Sequence, residues 1–272
     1  MHKYSLKFFK KFLKKVLTFC VLSFIIIIVR EIKKTKRKVM IKMENRRKGF
    51  YKIVLDTETC PVDKDFEGVS PYNMWAYDIG WAVVDKFGNV YRTRSFVNAD
   101  IFLEEKELMK SAYYANKIPQ YWEDIKNGTR VLTTFSKIRK TLLDDINEFK
   151  VVEIFAHNMR FDYGNLNNTE RWLTKSKYRY FFPYGVEICD TLKMARDVIA
   201  KMPTYKKFCI ENDLMTKNNQ VQLKAEVLYK FITKNLDFVE SHTGLEDVLI
   251  EKEILAYCYK QHKKMRKKLY EN

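Results

Sequence analysis

Lys52-Ile53-Val54-Leu55-Asp56-Thr57-Glu58-Thr59 is the stretch that decides how this chain is read. Ile53, Val54 and Leu55 are β-branched or aliphatic, the residue types that favour a strand buried on both faces. Two acids follow at i and i+2. Side chains alternate along a strand, so Asp56 and Glu58 point to the same side. Paired carboxylates at the end of an apolar strand repel each other and are costly to desolvate, and a cation between them relieves both effects. Taken alone, the pair also suits a solvated strand end running into a turn at Cys60-Pro61.

Working outward, the residues between Pro61 and Pro71 read as a loop. Two further strands, Ile79 to Asp85 and Val90 to Val97, flank the turn sequence Asp85-Lys86-Phe87-Gly88-Asn89, which predicts a hairpin and an antiparallel meander. Helices are expected over 102–114 and 131–149. Val151 to Ala156 is a short apolar run that suits a buried strand parallel to the first. A helix should begin after His157-Asn158, with His157 packing or hydrogen bonding and Asn158 as its cap. Val186 to Asp190 predicts a fifth strand, followed by a helix over 191–199. The pattern is weak over 203–219, and two helices, 223–233 and 244–259, precede a basic tail at 260–268. A meander followed by alternating strands and helices predicts an α/β fold, a mixed five-stranded sheet flanked by helices with the first strand central.

Composition narrows the class. The 272 residues are 46% hydrophobic and 31% charged, which describes a globular chain. Five dispersed cysteines without a C-x-x-C pair argue against a zinc knuckle or disulfide framework and favour a reducing, cytoplasmic setting. Of the 51 basic and 34 acidic residues, residues 1–42 hold 13 and one, so most of the +17 net charge lies there and the body is only mildly basic. Charge by itself therefore does not identify a nucleic-acid protein. The apolar run Val16 to Val29 is shorter than the ~20 residues of a spanning helix. Residues 1–42 read as a membrane-associating segment through 16–29, a basic arm, or an extension outside the functional domain. The last reading is favoured, with Met43 opening a complete domain over 43–272.

Two later stretches bring more acids. In Phe155-Ala156-His157-Asn158-Met159-Arg160-Phe161-Asp162, Asp162 falls on the first turn of a helix, at the strand edge where ligands collect in open α/β sheets. In Glu240-Ser241-His242-Thr243-Gly244-Leu245-Glu246-Asp247, Thr243 and Glu246 form a capping-box pattern, which leaves His242 on the preceding loop and Asp247 inside the helix. Asp56, Glu58, Asp162 and Asp247 thus come from two strand ends and two helix starts. Carboxylates without basic partners call for divalent cations, and hard oxygen ligands favour Mg²⁺ or Mn²⁺. Two such ions are the standard device for phosphodiester cleavage, and a neutral histidine beside them can take a proton from water.

Together these motifs resemble the DEDDh family, the proofreading-subunit-like 3′–5′ exonucleases of ribonuclease H-like fold. The residues that carry the likeness are Asp56 and Glu58, then Asn158, Phe161 and Asp162, then Asp190-Thr191-Leu192, then His242 and Asp247. The resemblance implies that Asp56 bridges two Mg²⁺ ions, with Mn²⁺ as a substitute, and that Glu58, Asp162 and Asp247 complete their shells. It implies His242 as general base, nucleoside 5′-monophosphates as products and a structural role for Asp190. Thr57, Thr59, Asn158 and Phe161 would line the bound nucleotide. The implied partner is a nucleic-acid 3′ end, single-stranded DNA first and RNA second, with any polymerase acting in trans. The family's first motif continues Thr-Gly, whereas here Thr59 is followed by Cys60-Pro61. Lys206, Lys207, Lys217 and Lys224 with Tyr205, Phe208 and Tyr229 offer a groove wall of phosphate contacts and stacking rings. The alternatives are a ribonuclease H-type endonuclease, against which His242 argues, and a non-catalytic nucleic-acid-binding module, against which the intact acid set argues.

Overall fold

The computed structural model describes residues 48–62 and 73–271, all within the unit Arg47–Asn272. The expectations for residues 1–42 and for most of the loop after Pro61 lie outside the described residues. Six strands form one sheet: β1 (Lys52–Pro61), β2 (Met74–Val84), β3 (Val90–Asn98), β4 (Val131–Thr133), β5 (Glu153–Ala156) and β6 (Glu187–Asp190). Their order is β4-β3-β2-β1-β5-β6, so β1 is interior as its apolar run requires. β2 pairs antiparallel with β1 and with β3, whereas β5 runs parallel to β1, β6 to β5 and β4 to β3. The hairpin turn forms as expected: the Gly88 N–H donates to the Asp85 carbonyl, and Gly88 adopts φ +84.

Strand alternation sorts β1 between two cores. Ile53 and Leu55 pack with Ile138 and Leu142 of one helix, α4 (Phe135–Phe149), and Leu166 of the next, α5 (Met159–Thr174). Val54 faces the other layer, with Met194 of α6 (Thr191–Val198), Leu228 of α8 (Ala225–Thr233), and Val248 and Ile254 of α9 (Gly244–Lys260). A third cluster around Tyr77, Val97, Phe102 and Tyr121 closes the end of the β2–β3 hairpin arms.

Several expectations are corrected. The sheet has six strands, because Val131–Thr133 extends β3's edge as β4 before the helix starts at Phe135. Thr134 makes that break, its Oγ1 accepting the Lys137 N–H. The helix expected over 102–114 is broken into α1 (Ala99–Phe102) and α2 (Lys106–Lys110), followed by a 3₁₀ turn at Ala115–Lys117. An unanticipated helix, α3 (Ile118–Asn127), carries proline in its first turn and ends at Gly128, whose φ of +76 suits a left-handed stop. The weak stretch contains α7 (Pro203–Glu211). The basic tail is not loose: Leu269 N–H donates to Ile188 O at 2.9 Å and Asp190 N–H to Lys267 O at 2.7 Å, which lays the tail along β6.

Candidate active site

The site is built where β1, α5 and α9 meet. Even-numbered residues of β1 face the α9 layer, so Asp56 and Glu58 emerge half-buried below its first turns. Thr57 and Thr59 face the other way and are 3% and 6% exposed. The Thr57 hydroxyl donates to Asp162 Oδ1 at 2.8 Å, and the Thr59 hydroxyl lies 3.5 Å from Met74 Sδ. Both threonine side chains are thus held within the fold, and Thr57 anchors an acid.

Asp162 reaches the site from the opposite layer, on the first turn of α5, where it is 1% exposed. Asn158 sits at the cap position but in a left-handed conformation, φ +70, and its side chain makes no capping bond; this corrects the expected cap. Its N–H instead donates to Asp190 Oδ1 at 3.1 Å, and the same oxygen accepts Leu192 N–H at 2.8 Å, which makes Asp190 a structural tie. His157 is hydrogen-bonded as expected, to Thr191 Oγ1 at 3.0 Å and the Leu223 carbonyl at 2.7 Å. Phe161 is half-buried beside Asp162.

Asp247 depends on a close helix approach. A Cβ on Gly80 would stand 2.3 Å from Leu245 N and 2.4 Å from Gly244 C, so only two facing glycines let α9 touch β2. The Asp78 carboxylate, fully buried one residue pair earlier on β2, accepts the Gly244 N–H at 2.9 Å and the Tyr121 hydroxyl at 2.7 Å. Arg130 pairs with Asp78 at 3.0 Å, Asp124 at 3.0 Å and Glu246 at 2.8 Å, tying α9's first turn to α3. The Thr243–Glu246 pair forms, but by side chain to side chain at 2.7 Å rather than through the backbone N–H groups of a capping box.

With these constraints, carboxylate oxygens of Asp56, Glu58 and Asp247 lie within 4.8 Å of one another, and Asp247 is similarly close to Glu240 and His242. No Lys or Arg forms an ion pair with Asp56, Glu58, Asp162 or Asp247 among the described residues. Burial above all, then repulsion from Glu251, Asp162, Glu58 and Asp247, pushes Asp56 well above the carboxylate range. Burial, with Asp78 and Asp247 nearby, raises Glu58 to about 9 against the opposing charge of Lys117. Burial and Glu240 raise Asp247 to about 8, and burial raises Asp162 to about 7 despite the Thr57 hydrogen bond. A nest of acids that resist ionisation in the absence of a counter-charge fits divalent cations.

His242 stands at the rim, its side chain 39% exposed, with φ +50. Its Nδ1 is 3.7 Å from Glu240 Oε2, and its ring stacks on Tyr114, centroids 4.7 Å apart at 13°. Lys117 donates to the His242 carbonyl at 3.2 Å. Partial burial, then the Lys117 charge, holds the imidazole below its ordinary value.

Sequence reasoning missed four contributors. Glu251 lies one turn beyond Asp247 on α9, 3% exposed; burial first and then Asp162 and Asp247 push it well above its usual range, and it accepts the His157 N–H at 3.1 Å. Its signal was the i+4 spacing from Asp247. Glu240 was in plain view two residues before His242, whereas Tyr114 and Lys117 carry no local signal because only the fold brings them to the loop. The proposed groove wall is corrected: Tyr205 is fully buried with its hydroxyl on the Gln222 carbonyl, and Phe208 and Tyr229 pack against the same core.

No family model matches the chain, and no curated protein sequence is significantly similar to it. Solved structures do resemble it. A 3′-exonuclease recognising a histone mRNA stem-loop superposes with TM-score 0.52 at 12% identity, over 89% of this chain and 76% of that one. A full-length 3′-exonuclease gives 0.53 at 12% identity, over 82% and 88%. The nuclease domain of 3′hExo, described as a DEDDh family member bound to rAMP, gives 0.50 at 12%, over 81% and 98%. At this identity the likeness is one of fold: the chain has the ribonuclease H-like architecture of DEDDh 3′-exonucleases.

Proposed function

We propose that this protein is a metal-dependent 3′–5′ exonuclease that hydrolyses the terminal phosphodiester bond of DNA or RNA and releases nucleoside 5′-monophosphates. The observation that supports this reading is the convergence of Asp56, Glu58 and Asp247 oxygens within 4.8 Å, with Asp162 adjoining them and His242 at the rim. Asp56, Glu58, Asp162 and Asp247 would hold the divalent ions. Bound there, they supply charge neutralisation at the scissile phosphate and make water a better nucleophile near neutral pH.

The chain's own residues do the rest. Tyr114 and Lys117 fix the His242 loop, and Glu240 faces Nδ1, which leaves Nε2 to receive a proton. The water oxygen bonds to phosphorus as its proton passes to His242 Nε2. The bond from phosphorus to the 3′ oxygen of the penultimate nucleotide breaks, and that oxygen takes a proton from solvent. Asp162, held by Thr57, and Asp247, held through the Gly80–Gly244 contact, keep the acids from spreading apart.

The test uses a 5′-labelled single-stranded oligonucleotide with the full chain, in Mg²⁺ and in EDTA. A ladder shortening from the 3′ end in Mg²⁺ alone is expected. Internal cuts in a 3′-blocked strand would favour the endonuclease instead, and no cleavage of DNA or RNA with Mg²⁺ or Mn²⁺ would overturn the enzymatic reading.

A further inference from the structure

From Arg171 to Val186 the sequence Arg-Trp-Leu-Thr-Lys-Ser-Lys-Tyr-Arg-Tyr-Phe-Phe-Pro-Tyr-Gly-Val contains four basic residues, six aromatic rings and no acid. It leaves the end of α5 at Thr174 and hooks back towards β6. The hook is firmly anchored. Phe181 and Phe182 are buried in the core, the Phe181 N–H donates to Asn167 Oδ1 at 2.8 Å, and Arg139 Nε donates to the carbonyls of Tyr180 and Phe181. On this fixed backbone Tyr178 is 79% exposed, Tyr180 is 48% exposed and Tyr184 is fully exposed. An anchored loop that buries two rings and displays three is a surface shaped for contact, since large aromatics grouped in solvent mark interaction sites.

The displayed rings are interleaved with cations. Arg171 lies over the Tyr180 ring at 4.8 Å, Lys175 over Trp172 at 4.3 Å and Lys177 over Tyr178 at 5.2 Å. None of Arg171, Lys175, Lys177 and Arg179 forms an ion pair among the described residues; of the two acids that flank the segment, Glu170 is 5% exposed, lies 4.0 Å from Arg139 and is also within the field of Arg179, and Glu187 pairs with Lys268 at 2.6 Å. The same helix joins this hook to the acids. Arg160, Gly164, Asn168 and Arg171, continued by Lys175 at the C-cap, follow one another at three- and four-residue steps as a single stripe without a carboxylate, on the outer face of α5 about 160° round from the buried Asp162. From Asp162 on the first turn to Lys175 at the end the helix rises ~20 Å, the length of about six nucleotides of a stacked strand.

We propose that the 175–184 hook and the α5 stripe form a second nucleic-acid-binding surface, which holds a single strand about six nucleotides upstream of the 3′ end. Tyr178 and Tyr184 stack on unpaired bases, and Lys175, Lys177 and Arg179 contact phosphates. The assignment to the substrate strand rests on the exonuclease reading; the surface itself does not. Unpaired bases are favoured over a lipid surface because the rings stand among the cations, where bases and phosphates of one strand alternate in the same way.

The test measures binding of the full chain, in EDTA, to fluorescein-labelled oligo(dT) of 4 and 30 nucleotides, with oligo(U) alongside. Two double variants are compared, Lys175→Glu with Lys177→Glu and Tyr178→Ala with Tyr184→Ala. Each should weaken the 30-mer about tenfold or more and leave the 4-mer unchanged, with the charge variant also flattening the salt dependence. In Mg²⁺, the variants should digest the 4-mer at the wild-type rate and the 30-mer less processively. If wild-type protein cuts neither strand but the variants still lose 30-mer binding, the exonuclease reading fails and the surface stands. Equal 30-mer binding by wild type and both variants overturns the proposal, as does loss of binding to phosphatidylserine vesicles with oligonucleotide binding intact.

Discussion

Asp162 and Asp247 reach the same pair of β1 acids from opposite layers of the sheet, and each is held by a contact with no chemistry of its own. For Asp162 it is the Thr57 hydroxyl at 2.8 Å, and for Asp247 it is the helix start pinned by Asp78. His242 is held by Tyr114 and Lys117, and its replacement by alanine should lower the rate by about 10²–10⁴, the scale of a lost general base. The check is single-turnover cleavage beside thermal melting; a fast His242→Ala enzyme would remove the assigned role. Glu251 is a different case. It repels Asp56 more than any other single acid does, and it holds the turn before α5 through the His157 N–H. Glu251→Gln keeps an acceptor but removes a charge, so the Mg²⁺ concentration for half-maximal activity should rise about 10–100-fold, as for other groups that support a metal site from behind. An unchanged Mg²⁺ titration would make Glu251 purely structural. The pair Asp56 and Glu58 was legible because strand alternation fixes which side chains share a face. Glu251 showed only its i+4 spacing from Asp247, which does not mark a site residue by itself, because its burial exists only once the β5–α5 turn packs over α9.

At the scale of elements, β1, β5 and the hairpin were readable because each shows its own pattern within a few residues. β4 has three residues, too few to alternate, and its apolar character merged with the helix behind it until Thr134 capped that helix. The region 99–127 misled for the opposite reason: its apolar spacing runs on, while the backbone breaks into short helices that serve the third core cluster. The placement of α9 hangs on contacts that no local pattern announces. Gly80→Ala puts a methyl group into backbone atoms of Gly244 and Leu245, so β2 and α9 must separate. The cost is on the order of 1–3 kcal/mol or more, and Asp247 moves away from Asp56 with the helix. Denaturant melts and cleavage rates should both fall, and a Gly80→Ala protein of wild-type stability would refute the contact. Arg130→Met leaves the Asp78 carboxylate buried without its cation, which should cost about 3–5 kcal/mol. Urea melts measure it directly; a loss below 1 kcal/mol would mean that Tyr121 and Gly244 suffice for Asp78.

Across the whole molecule, the acid cluster makes stability depend on pH in a direction opposite to that of ordinary surface ion pairs. Glu58, Asp247 and Asp162 are raised to about 9, 8 and 7, chiefly by burial, against ~4 for the same groups in the unfolded chain. Between those values the folded state binds more protons than the unfolded one, so stability falls as pH rises. The stability these groups lend is fully present below about pH 4 and is lost progressively through about pH 9. Asp145 works in the other direction. Burial would raise it, but Arg94, Arg92 and Trp81 donate to it and hold it below the usual range, so its contribution is lost only as the solution becomes acidic. The metal-free protein should therefore melt at steadily lower temperature from pH 5 to pH 9, by about 2–4 °C for each kcal/mol lost. Mg²⁺ or Mn²⁺ should raise the melting temperature more at pH 9 than at pH 5, because a bound cation favours the ionised acids. Glu58→Gln removes one charge from the cluster, so its metal-free melting temperature should exceed that of the wild type at pH 9 and its response to Mg²⁺ should shrink. Differential scanning calorimetry in EDTA and in Mg²⁺ across that range separates the outcomes. A flat metal-free profile that Mg²⁺ shifts equally at every pH would mean that the carboxylates stay ionised without a cation, and the case for a cation nest would lose its electrostatic basis.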